Sequence, residues 1–177
     1  MSSNNLFRYG GIAAIVSAVL YVLSIGMGFA GITGILGTVV YAISSLLLLV
    51  TLVALYVDLR AESAMLALLA LILLGALTIW SLFLDPTNIT PIFGPFTVVY
   101  GIGFVIFGWL QRSSSRYPKG LGVLAIVTGV VAVIAGIALM AGASADVFGL
   151  LNLILTVPFI IWSVWLGMHF LKGKASG

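Results

Sequence analysis

The chain of 177 residues has no cysteine, one histidine and four acidic residues, and charged side chains make up only 6% of it. Without cysteine there can be no disulfide, no thiol nucleophile and no thiolate metal site. The lone His169 has no second histidine, cysteine or neighbouring carboxylate to help it hold haem or a metal ion, so it reads as an interfacial side chain. Scarcity of charge excludes a water-soluble surface, because 63% of the residues are hydrophobic and too few polar groups remain to cover them. The net charge of +3 does not point to nucleic acid, since the cations lie singly or in short groups between long apolar runs. No catalytic group, metal or cofactor is expected.

What the chain does have is length enough to cross a bilayer repeatedly. A helix needs about 20 apolar residues to span a hydrocarbon core of about 30 Å. Six runs qualify: Gly10–Phe29, Ile35–Val57, Ala64–Leu84, Ile92–Leu110, Leu121–Ala141 and Val147–Leu171. They consume nearly the whole chain, and the first reads as a permanent helix rather than a signal peptide. Cations report orientation, because Lys and Arg in short loops are retained in the cytoplasm. Arg8, Arg60, Arg112, Arg116, Lys119, Lys172 and Lys174 all fall at the termini or after the second and fourth runs. The other loops carry Asp85 and Asp146 and no cation. The expectation is an all-α, polytopic six-helix bundle with both termini cytoplasmic.

A repeat subdivides it. Arg8–Gly31 aligns without gaps on Lys119–Gly142, pairing Gly11 with Gly122, Ala14-Ile15-Val16 with Ala125-Ile126-Val127, and Ala30-Gly31 with Ala141-Gly142. Hairpins of runs 1–2 and 5–6 then share one orientation, and runs 3–4 form a third, more diverged hairpin: three tandem parallel repeats. In lipid, helices associate through close backbone approach, so small residues mark their contacts. Gly122, Ala125, Gly129, Ala132 and Gly136 form such a seam on run 5, and Gly11, Ala14 and Ala18 begin one on run 1, its leading partner. A pore lined by these glycines is the alternative. Gly28, Gly31, Gly34 and Gly37 read instead as a helix end, a tight turn and a new start.

Proton relays and metal sites need ionisable groups inside the bilayer. Here Asp58, Arg60 and Glu62 read as a solvated cluster in the first cytoplasmic loop, with Asp85 and Asp146 at the opposite boundary. Neutral groups remain, and Asn152 stands out, because its amide cannot be left bare in hydrocarbon. It is expected to face inward toward Tyr100, Ser81 or Asp85, with Trp80 and Trp162 as walls. The group is either a small outward polar pocket or a hydrogen-bonded knot that fixes helix orientation. Pro158 is placed to kink the same helix. The proline-rich segment 85–95 is the candidate lid, and its Asn88-Ile89-Thr90 fits the glycosylation pattern.

The stretch Tyr117-Pro118-Lys119-Gly120-Leu121-Gly122, a glycine-rich span, and Ile161-Trp162-Ser163-Val164-Trp165-Leu166-Gly167 before a basic tail together resemble small six-span bacterial and archaeal membrane proteins grouped as domains of unknown function. The resemblance covers mainly the last third of the chain. It implies the six-helix fold and a prokaryotic inner membrane, and no activity. The expected role is a non-catalytic accessory subunit or a binder of lipid-like molecules, with membrane lipids or other membrane subunits as partners and no nucleic acid. The alternative is a transporter or channel for a small neutral or hydrophobic solute.

Overall fold

The computed structural model describes residues 3–32, 34–83 and 92–173. Five α-helices occupy them, with no strand among the described residues: α1 (Ser3–Phe29), α2 (Ile35–Ser81), α3 (Phe93–Ser113), α4 (Lys119–Met140) and α5 (Ala145–Leu171). All five are long and apolar enough to cross a membrane. The expected second and third spans are merged in α2, whose 47 residues are interrupted at Ser63, where φ −160° and ψ 105° are extended rather than helical. Helix therefore continues through Asp58, Arg60 and Glu62, where a loop was expected. The reason is local: nothing from Tyr56 to Glu62 is a glycine or proline, and Ser63 restarts the helix as its cap, its Oγ accepting from the Leu66 N–H at 3.4 Å.

The other boundaries follow from glycine and serine chemistry. At the end of α1, Gly31 takes φ 70°, the Ile32 N–H donates to Met27 O and the Gly31 N–H to Gly28 O, which closes the helix in a Schellman motif. Gly142, at φ 90°, ends α4 in the same way, with Ala143 N–H on Ala138 O and Gly142 N–H on Leu139 O. Ser144 then caps α5 through the Val147 N–H. Lys119 closes α3 from the following helix, its Nζ donating to Arg112 O at 2.6 Å and Ser114 O at 3.2 Å.

The chain divides into two compact units, residues 1–58 with 163–177 and residues 59–162. In the first, α1 is held by hydroxyls that reach its carbonyls. Ser44 donates to Ser17 O at 2.9 Å and Thr51 to Gly10 O at 3.3 Å, seven residues apart on both helices and in antiparallel register. Seven-residue spacing is the mark of helices crossing at a shallow angle. From α5, Ser163 donates to Ala14 O at 2.9 Å, and Gly11 and Gly167 meet face to face. A β-carbon on either glycine would lie less than 3.0 Å from the other's carbonyl oxygen. The Gly11, Ala14 and Ala18 seam is thus buried against α2 and α5 of its own unit.

In the second unit the α4 seam meets α3. Gly122 faces Gly108, Gly129 faces Gly101 and Gly136 faces Gly94, an antiparallel ladder with seven residues between rungs. Each contact is reciprocal, and a β-carbon on any of the six would come within 3.0 Å of the opposite carbonyl oxygen. Ala125 and Ala132 are fully buried between the rungs. The expected partner, run 1, is corrected to α3: Gly101 and Gly108 carry the matching spacing, and a helix joined by the short segment 114–118 packs first on its neighbour. At the far end of the ladder Ala135, Leu139 and Phe148 form a core with Phe93 and Leu151.

Overpacking such a contact costs about 1–3 kcal/mol. Gly129→Leu should therefore lower the melting temperature in detergent, whereas Val127→Leu, on the exposed face of the same helix, should leave it within a degree or two. Equal shifts for both variants would show that the ladder does not hold the pair together.

Candidate functional site

The polar residues inside the helices are mostly committed to backbone carbonyls one turn back. Thr78 donates to Leu74 O, Ser81 to Thr78 O, Thr97 to Phe93 O, Thr128 to Leu124 O and Thr156 to Asn152 O, all between 2.7 and 2.9 Å. These bonds satisfy the hydroxyls without reaching another helix. Asn152 does the same, its Nδ2 donating to Phe148 O at 2.9 Å. It was expected to reach toward Tyr100, Ser81 or Asp85. The partly buried amide instead finds an acceptor on its own helix, which answers the cost of burying it.

The expected walls also separate. Trp80 is 47% exposed and stacks on Phe96 with ring centroids 5.6 Å apart, whereas Trp162 is completely buried. Tyr100 meets Phe104 edge-on at 5.1 Å, and Phe104 in turn meets Trp162 at 5.2 Å. So Tyr100 and Trp162 share a chain of rings, and Trp80 lies elsewhere on the unit's exterior. Asp85, the proline-rich segment up to Pro91 and the Asn88-Ile89-Thr90 pattern lie outside the described residues.

A different polar centre appears. Gln111, expected in a cytoplasmic loop, lies within α3 and is fully buried. It accepts a hydrogen bond at its Oε1 from the Trp162 indole N–H at 3.0 Å. Phe107, one turn earlier on α3, is buried, and so are Phe104 and Trp162, which meet edge-on, with Phe159 stacked on Trp162 at 6.2 Å. The signal for it was in the sequence: Phe104, Phe107 and Gln111 follow the spacing of three and four that marks one helix face. Reading the Arg112 to Lys119 charges as the start of a loop concealed it. The Gln111 Nε2 is buried and has no hydrogen-bond partner.

Charged groups gather near the α3–α4 turn. Arg116 Nη2 lies 3.5 Å from Glu62 Oε1, both partly exposed, a pair of the kind that contributes little to stability. Asp58 was expected to be solvated but is only 3% exposed, because unbroken helix carries it onto the face of Thr51 and Leu55. His169, expected at an interface, is 6% exposed within α5 beside Phe170. Among the described residues no three His, Cys, Asp or Glu side chains are gathered where they could hold a metal ion.

The Gln111–Trp162 bond links α3 to the tryptophan-bearing part of α5, and its loss strands a donor. Gln111→Leu should destabilise the protein by about 1–3 kcal/mol. In a thermal-unfolding cycle with Trp162→Phe, the double variant should lose less than the sum of the two single losses; strict additivity would mean that the bond carries no energy of its own. No protein-family model, curated protein or solved structure matches this chain.

Proposed function

We propose that the protein is a multi-pass inner-membrane protein of six crossings, both ends cytoplasmic, that works without chemistry of its own by binding lipid-like molecules or a membrane subunit. The observation that carries this reading is the allocation of its polar groups. Hydroxyls and the Asn152 amide are spent on helix carbonyls, while Ile12, Val16, Val19, Val127, Val130 and Ile134 turn apolar side chains outward. The outward surface is made for hydrocarbon. A transporter would need a polar route, and of the group first considered for one Ser81 and Asn152 bond to their own helices while Trp80 is exposed.

Six crossings are supported by length. At 1.5 Å per residue, 47 residues of α2 would extend about 70 Å, more than twice a hydrocarbon core of about 30 Å. The break at Ser63 falls beside Asp58, Arg60 and Glu62, which is where a turn at the membrane surface would be placed. Tandem repeats are supported by two features 111 residues apart: the Schellman ends at Gly31 and Gly142, and the reciprocal contacts of Gly11 with Gly167 and Gly122 with Gly108.

Because the chain lacks cysteine, single cysteines at the exposed Ser115 and Ser144 give a direct test of topology. An impermeant thiol reagent applied to intact cells should label position 144 and spare position 115; labelling of both, or of 115 alone, overturns the orientation. For the function, the protein purified gently from native membranes should carry lipid, or a second membrane protein, at a fixed ratio by mass spectrometry. Solute accumulation in reconstituted vesicles under a pH or sodium gradient would instead make it a transporter.

A further inference from the structure

We propose that Gln111 is the recognition group of a lipid site, its Nε2 donating to the acyl-ester carbonyl of a glycerophospholipid at the end of α3. This rests on the lipid-binding reading above and names its site and ligand class. The indole N–H of Trp162 can only donate, so the amide oxygen of Gln111 has to face it, at 3.0 Å. Turning the amide over would set donor against donor. That fixes Nε2 away from Trp162, where it has two N–H bonds, no protein acceptor and no contact with solvent. A bare donor is the costly state of a hydrogen-bonding group, so the chain gains when an acceptor arrives from outside.

Depth identifies the acceptor. The 21 residues of α3 extend about 32 Å, which matches the hydrocarbon core and sets both ends at its boundaries. Gln111 is two residues from the last, Ser113, and so lies about 3 Å inside that boundary. Acyl esters occupy this level, with phosphates just above it, and the next residue, Arg112, is exposed where a phosphate would be met. The buried rings of Phe104, Phe107 and Trp162 suit the first methylenes of an acyl chain.

Entry needs α5 to give way, and α5 is weak at the right place. Pro158 has no N–H to offer the Ile154 carbonyl, one turn before Trp162, so the helix lacks a rung there and can bend. A small bend of α5 at this point opens Nε2 to an arriving ester while the indole keeps its bond to the amide oxygen.

The test sets a diester phosphatidylglycerol against its diether analogue, alike in headgroup and chain length, with the full chain in detergent and retention read by native mass spectrometry. The wild-type protein should retain the diester roughly 2- to 10-fold better, the range expected for one hydrogen bond. Gln111→Met removes both N–H donors, so its preference should fall to unity; if it does not fold, Gln111→Leu is read the same way. Equal retention of the two lipids by wild type, or a preference that survives in either variant, overturns the proposal while leaving lipid binding intact. Retention of neither lipid by wild type removes the lipid-binding reading together with this site.

Discussion

Helices that share a hydrocarbon environment gain nothing from hiding apolar surface from one another, so contact has to come from close approach of the backbones themselves. That constraint governs this chain. Where α3 and α4 meet, a glycine faces a glycine at three successive rungs, and the opposite carbonyl oxygen occupies the space a β-carbon would need. The same arrangement joins Gly11 to Gly167. Contacts this close bring Cα–H groups against carbonyl oxygens, each a weak interaction of about 0.5–1 kcal/mol, and lengthen the surface over which dispersion acts. Bulk is tolerated only beyond the rungs, on the exposed faces where Ile102, Trp109, Val123, Val127, Val130 and Ile134 lie.

Close approach also explains the hydroxyls. Where side chains are small, the carbonyls of α1 at Gly10, Ala14 and Ser17 become reachable from the neighbouring helices, and Thr51, Ser163 and Ser44 reach them. Such bonds contribute roughly 0.6 kcal/mol each on average in membrane proteins, because alternative partners exist in the unfolded state as well. Their larger effect is on register. A hydroxyl seven residues from another, answered by carbonyls seven residues apart, admits one alignment of α2 on α1 and penalises its neighbours. Glycine brings the helices together; serine and threonine decide where they stop sliding.

The class of fold was legible because it follows from composition and run length, which need no knowledge of contacts. The small-residue seams were legible for the same reason, since lipid leaves few other ways to pack. Partners were harder. Gly122, Gly129 and Gly136 announce a seam, but Gly11, Ala14 and Ala18 offered as good a match as Gly94, Gly101 and Gly108, and spacing alone does not say which helix lies alongside. Chain connection decided it, through the short turn between α3 and α4. At Asn152 the expectation looked across to another helix, and the amide donates to the Phe148 carbonyl one turn away. Charge misled at both Asp58 and Gln111, since a cluster of charged residues was taken to end a helix that in fact carries on and buries one of its polar groups.

Gln111 shows what the allocation of donors implies. Elsewhere in the second unit Thr78, Ser81, Thr97, Thr128 and Thr156 each donate to a carbonyl one turn back, a solution available to any helix and indifferent to what surrounds it. Gln111 has a longer side chain and reaches Trp162 instead, and the indole's single donor leaves the amide nitrogen unanswered. A core built for stability alone would place apolar side chains at these two positions, with no donor to satisfy. Retaining an amide and an indole in a ring-lined interior sacrifices that stability for directionality. On the lipid-binding reading, the site is therefore found where polar chemistry is left incomplete, and the rest of the helix surface serves to keep the protein in the solvent from which its ligand comes.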